Sequence, residues 1–327
     1  MKAERNKTID FDLEQGKPYL DRCISVSDFV EARQVINKTI LGDSFTVLDF
    51  LPKGSVDLLY ADPFYNLDKS FHGTKFSKLD ETEYARYTCK WIEKVIPLLK
   101  PTASVYVSCD WKTSMVIGNV LNQYFNVINR ITWQREKGRG ALSNWKNALE
   151  DVWFATVSSE YTFNVQDVMT RRKVVAPYKK DGKPKDWEET PEGNYRNTYP
   201  SNFWDDISIP YWSMPENTAH PTQKPEKLLA KLILASTNKG DTVLDPFLGS
   251  GTTSVVAKKL GRNYIGVEQN PLYCAWAEYR LEQAETDKTI QGYTDGVFWE
   301  RNTLAEQKKQ KKIKTKPAFI SKTSNNQ

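Results

Sequence analysis

The chain has 327 residues, enough for one large domain carrying an insert or for two domains, with a substantial core. Its 46 Lys and Arg against 41 Asp and Glu leave a net charge of +5, which ordinary cytoplasmic enzymes also carry and which selects no partner by itself. Cys23, Cys89, Cys109 and Cys274 lie far apart with no CxxC pair, and no apolar run follows the charged start or approaches the ~20 residues of a membrane span. A disulfide framework, a zinc site, a secretory leader and a membrane anchor are therefore not expected, and a cytoplasmic location is.

Residues 1 to about 35 are polar and weakly patterned. "KTILGDSFTVLDFLPKGSVDLLYADPFYN" (38–66) reads as a short strand, a turn, a short helix, a turn and a second strand. Apolar residues near helical spacing predict a helix over 83–100, ending before Pro101. A β-rich run follows at 103–110, then a helix at 113–125. Two strands, 126–135 and 149–158, are joined by a basic, glycine-containing loop.

Between about 164 and 219 the periodicity fades, prolines recur and charges interleave with aromatics. Regular alternation then resumes: helix 225–237, strand 241–247, helix 252–261, strand 263–270 and a further helix. The lysine-rich end reads as a disordered tail. Strands alternating with helices imply an α/β fold, a doubly wound, mostly parallel, Rossmann-like sheet. The division expected is 1–163, an insert at 164–219, a second half of the same domain at 220–300, and the tail at 301–327.

A sheet of this kind binds ligands at the carboxyl ends of its strands. Two distinctive corners fall there. "LLYADPFYN" ends a strand in Asp62, Pro63, Phe64 and Tyr65, a stiff, acceptor-rich, aromatic turn. "TVLDPFLGSGTT" ends a strand in Asp245, with Gly249 and Gly251 before a helix that starts near Thr252. Glycines let backbone approach a ligand closely, and a helix N-terminus offers unpaired N–H groups. Glu268 ends the next strand, where an acid can accept both ribose hydroxyls. Ser254 stands where the third glycine of a dinucleotide fingerprint belongs, so a nucleoside without pyrophosphate is favoured. "HPTQKP" (220–225) precedes a helix; its lone His220 makes no metal site, and no metal is expected.

Three stretches in this order resemble the amino-group DNA methyltransferases that use S-adenosylmethionine. "DPFY" resembles their catalytic tetrapeptide, "DPFLGSGTT" their cofactor loop, and "HPTQKP" the segment before that loop. The order is similar to that of the β group, a circular permutation of the methyltransferase fold with a target-recognition insert. Phe64 departs from the pattern, which has a second proline there.

The resemblance implies transfer of a methyl group from S-adenosylmethionine to the N6 of an adenine flipped out of double-stranded DNA. Asp62 and the Pro63 carbonyl would accept the two amine hydrogens, and Phe64 and Tyr65 would complete the corner. The cofactor set it implies is Asp43, Asp62, His220, Thr222, Lys224, Asp245, Pro246, Phe247, Gly249, Ser250, Gly251, Thr252, Thr253, Glu268 and Asn270. Asp43 would reach the cofactor's adenine, with Thr222 and Lys224 near its carboxylate. Asp at position 62 resembles the adenine enzymes; cytosine N4, RNA, or a non-catalytic DNA-binding subunit are the alternatives. A homodimer and a cognate restriction endonuclease are further partners that the resemblance raises.

For DNA, the candidates are Asn66, Arg135, Lys137, Arg139, Lys146, Arg171, Arg172, Lys173, Lys179 and Lys180. Basic side chains contact phosphates, and aromatics stack on bases. The insert's Tyr178, Trp187, Tyr195, Tyr199, Phe203 and Trp204 fit either a DNA surface or a small aromatic core. The loop carrying His72 is a candidate cover for the extruded base.

Overall fold

An eight-stranded sheet organises the computed structural model, which describes residues 4–307 apart from 72–73, 136–141, 176–177 and 191–192. Its strands are β1 (Lys38–Leu41), β2 (Val56–Ala61), β3 (Leu99–Cys109), β4 (Asn126–Gln134), β5 (Leu149–Thr156), β6 (Phe203–Trp204), β7 (Thr242–Asp245) and β8 (Asn263–Glu268). They lie in the order β1-β8-β7-β2-β3-β5-β4-β6. From β1 to β3 all pairings are parallel, while β5 runs antiparallel to both of its neighbours. The last strands in the chain thus sit inside the sheet: Leu244 pairs with Leu59 on one side and Ile265 on the other. This is the permuted, doubly wound arrangement that the motif order implies.

Alternation along each strand feeds two cores. Leu59, Val105, Val107, Leu244 and Val267 pack with Trp91, Ile92 and Val95 of helix α2 (Glu81–Val95) and Ile117 and Leu121 of α3 (Ser114–Tyr124). Leu58, Tyr60, Tyr106 and Val243 face the other way, onto α4 (Glu226–Ser236) and α5 (Thr252–Lys259). With both faces covered, the parallel strands are apolar throughout rather than half polar. α2 starts at the Asp80 N-cap, whose side chain accepts from the Glu83 N–H. It stops at Val95, short of the predicted end. Pro97 lacks an N–H and sits in a 3₁₀ turn that leads directly into β3.

The weakly patterned start contains a helix, α1 (Leu13–Leu20), held by an Asp12–Gln15 capping box and packed against α6 (Pro271–Thr286). Gly16 lets the two helices approach, since a Cβ there would lie 3.0 Å from that of Ala275. The insert builds a five-stranded sheet from 170–173, 188–190 and 193–198 together with 293–294 and 297–299. Residues 293–299, grouped by sequence with the cofactor half, pair there through Phe298 and Thr170. No helix among the described residues is long and apolar enough to cross a membrane. Residues 308–327, most of the expected tail, lie outside the described residues.

Candidate active site

The first corner leaves β2 at Ala61. Pro63 is buried and Phe64 packs on the core below α2. The Tyr84 hydroxyl, from α2, donates to the Phe64 carbonyl at 2.7 Å. This bond ties the turn at the position where a second proline is otherwise expected. Asn66, at φ +48°, exchanges hydrogen bonds with both backbone groups of Leu79 and so pins the loop base rather than facing outward.

Asp62 has two differently used oxygens. Oδ2 accepts from the Lys224 ammonium at 2.6 Å, whereas Oδ1 is buried and accepts no hydrogen bond. Lys224 lies 3.6 Å from Glu150 Oε2 and 5.0 Å from the centre of the Tyr65 ring. Glu150, on β5, also receives the Arg135 guanidinium, and the Tyr65 hydroxyl approaches it at 3.4 Å. Burial opposes the Lys224 charge, but Asp62 and then Glu150 outweigh it and hold the ammonium above its usual value. Burial, then the Asp62 and Glu150 charges, push the Tyr65 hydroxyl well up, so it stays protonated.

The second corner leaves β7 at Asp245, whose carboxylate accepts from the Phe247 N–H at 2.9 Å and from the Thr253 hydroxyl. Gly249 and Gly251 both have positive φ, +56° and +86°. Glu268 closes the site: Oε2 accepts from the Gly249 N–H and Oε1 from the Asn270 N–H, each at 2.8 Å. Burial raises both Asp245 and Glu268 to about 7. Asn270 is also the N-cap of α6. From α6, Arg280 reaches back to the Ser250 carbonyl, the Thr252 hydroxyl and Glu226.

These pieces meet around one cavity of about 330 Å³. All of the sequence-predicted catalytic and cofactor residues line it except Gly251. Gly251 serves packing instead, since a Cβ there would meet that of Ala277 at 2.6 Å. Asp43 lines the cavity and caps its own short helical turn through the Phe45 N–H. His220 stacks edgewise on Tyr273 at 4.4 Å and abuts Gly249. Lys224, expected near a ligand carboxylate, grips the protein carboxylates Asp62 and Glu150. Tyr60 and Gln223, inside the quoted stretches, and Tyr87 and Tyr273, outside any motif, also line the cavity. Among the described residues no His, Cys, Asp or Glu cluster suits a metal.

The basic candidates divide. Arg171 is largely buried, stacked against Tyr195 and Trp299 and paired with Glu188; Arg172 lies near Glu300. Arg135 turns inward to Glu150. Lys146, Lys173, Lys179 and Lys180 are exposed. Lys137, Arg139 and His72 lie outside the described residues. Of the insert's aromatics, Trp187, Tyr195 and Trp204 are buried, while Tyr178, Tyr199 and Phe203 face solvent.

A family model described as DNA methylase matches residues 56–279, from the start of β2 into α6. The chain belongs to this family of DNA methylases. S-adenosylmethionine is the methyl donor. The methylase is 33% identical over 250 residues to the type II methyltransferase M.HpaI of Haemophilus parainfluenzae, covering 75% of this chain and 74% of that one. It is 34% identical over 258 residues to the DNA adenine methyltransferase YhdJ of Escherichia coli K12, covering 76% and 83%. Among solved structures, PvuII DNA methyltransferase, described as cytosine-N4-specific, superposes with a TM-score of 0.58 at 20% identity. That match covers 76% of this chain and 89% of the other, a likeness of fold.

Proposed function

We propose that this methylase moves a methyl group from S-adenosylmethionine to the exocyclic N6 of an adenine extruded from double-stranded DNA. The observation that carries the reading is Asp62: its Oδ1 is a buried acceptor without a donor, on the wall shared by the Tyr65 corner and the Glu268 pocket. An unmatched buried acceptor is costly unless a ligand supplies the missing N–H.

The residues of the pocket suit the donor. Glu268 presents a carboxylate for ribose hydroxyls, Gly249 admits backbone contact, and Phe247, Tyr87 and Tyr273 offer flat apolar surface. When bound, S-adenosylmethionine supplies an electrophilic sulfonium methyl. Asp62 Oδ1 and the Pro63 carbonyl accept the two hydrogens of the target amine, favouring a pyramidal nitrogen with a free lone pair. As the nitrogen–carbon bond forms, the sulfur–methyl bond would break and leave a neutral thioether; the fixed Asp62 carboxylate opposes the positive charge that grows on the nitrogen, which then releases one proton to solvent. The Tyr65 ring stacks on the base, which leaves the duplex at a cost of a few kcal/mol.

Adenine is favoured over cytosine by Asp at position 62 and by the relative named an adenine methyltransferase. The test is nucleoside mass spectrometry of duplex DNA treated with the purified chain and S-adenosylmethionine. N6-methyladenine is expected. N4-methylcytosine as the product overturns the adenine reading.

A further inference from the structure

Glu150 belongs to none of the motifs that mark the site, yet it is a hub of the catalytic corner. It is buried at 5% exposure on β5, and Lys224, Arg135 and the Tyr65 hydroxyl converge on its carboxylate. Lys224 alone would leave Asp62 in a simple ion pair, and Arg135 adds a second cation next to it. Two carboxylates, Asp62 and Glu150, and two cations, Lys224 and Arg135, make the cluster neutral.

We propose that Glu150 is a positioning residue for methyl transfer: it holds Lys224 against Asp62 Oδ2 and balances the corner's charge, leaving Oδ1 as an acceptor for the amine. This rests on the reading of Asp62 given above. Without Glu150 the corner carries a net positive charge beside a nitrogen that itself becomes positive. In a site closed to water such a charge is screened less than in solvent. Lys224, freed from its second carboxylate, also pulls harder on Asp62 and competes with the amine for it. The loss therefore falls on the transfer step, not on donor binding, because Glu150 does not line the donor cavity. That Glu150 contributes to keeping Lys224 charged agrees with this role.

The decisive measurement is single-turnover methyl transfer at saturating DNA and donor, beside S-adenosylmethionine affinity. Glu150→Gln is expected to slow transfer ~30-fold with the donor Kd within about threefold of the parent. Glu150→Asp keeps the charge and is expected to stay within about fivefold of the parent rate. The double variant Glu150→Gln/Arg135→Gln restores neutrality and is expected to regain about tenfold over Glu150→Gln, which a purely structural role does not predict.

An unchanged rate in Glu150→Gln overturns the proposal. So does a double variant no faster than the single one when both melt at the parent's temperature. Should Glu150→Gln fail to fold, the two charge-balanced variants decide: a ~30-fold loss in either overturns it. The readout is methyl incorporation into whichever base accepts it. A cytosine product thus ends the adenine reading without altering this test.

Discussion

The backbone N–H of Gly249 donates to Glu268 Oε2 at 2.8 Å, so the glycine loop closes on the acid that ends the neighbouring strand. Burial has raised that acid to about 7 despite this bond and a second one from the Asn270 N–H. The sign follows. A carboxyl raised in the fold holds its proton more tightly than in the unfolded chain. Its contribution to stability is full below the ordinary carboxyl range and is lost as pH rises to about 7. Ribose hydroxyls, in contrast, bind best to the ionised form. S-adenosylmethionine affinity is therefore expected to weaken about tenfold from pH 8 to pH 6. Calorimetry at both pH values checks this, and Glu268→Gln should bind weakly with a flattened profile. A pH-independent affinity in the parent protein removes Glu268 from the donor site.

Asp62 is expected to matter for chemistry more than for folding. Removing it deletes the acceptor proposed for the amine and leaves Lys224 with Glu150 alone. Asp62→Ala should lower methyl transfer on the order of 10²-fold or more. Asp62→Asn keeps the shape but loses the negative charge, and should fall nearly as far. Scintillation counting of labelled methyl groups on DNA reads both variants, with circular dichroism to verify folding. Turnover at the parent level in either variant contradicts the role given to Asp62.

What the sequence made legible was local. Asp62, Asp245 and Glu268 stand at strand ends next to prolines, glycines and helix starts, a pattern contained within a few residues. Their meeting around one cavity follows from the parallel order of β2, β7 and β8. Less accessible were contacts whose partners lie far apart in the chain. Lys224 and Asp62 are 162 positions apart, and Arg280 meets Glu226 across 54. Position in "HPTQKP" marks Lys224 as notable but cannot say which carboxylate it holds. Glu150 reads as one acid among strand residues until Arg135 and Lys224 are seen beside it. α1 is not legible because Gly16 and Pro18 obscure its eight residues, nor is 293–299, whose strands are two and three residues long.

Gly251 separates packing from cavity lining within the glycine loop after β7. Its φ of +86° is strained for any residue with a side chain, and a Cβ would lie 2.8 Å from the Ala277 backbone as well. Backbone cannot swing aside as a flexible side chain can. Gly251→Ala should therefore destabilise the fold by at least ~2 kcal/mol, from left-handed strain and the clash with α6. Urea denaturation measures it. A midpoint equal to the parent's would mean that α5 and α6 separate at little cost.

The exposed lysines of the insert differ from its arginines, and that difference can be measured. Lys179 and Lys180 are solvent-facing beside the exposed Tyr178, with Lys179 5.8 Å from the Trp187 ring. Arg171 is only 11% exposed, packed on the Tyr195 and Trp299 rings and paired with the exposed Glu188. If the lysines meet phosphates, Lys179→Gln/Lys180→Gln releases two fewer counterions on DNA binding. The slope of log affinity against log salt should then become shallower by about 2, equally for random and methylated-site sequences. Arg171→Gln should instead lower the melting temperature, because it leaves Glu188 without its guanidinium and removes the cation packed on the Tyr195 and Trp299 rings. Fluorescence anisotropy across a salt series separates the two outcomes. An unchanged slope in the lysine variant places the DNA away from Lys179 and Lys180.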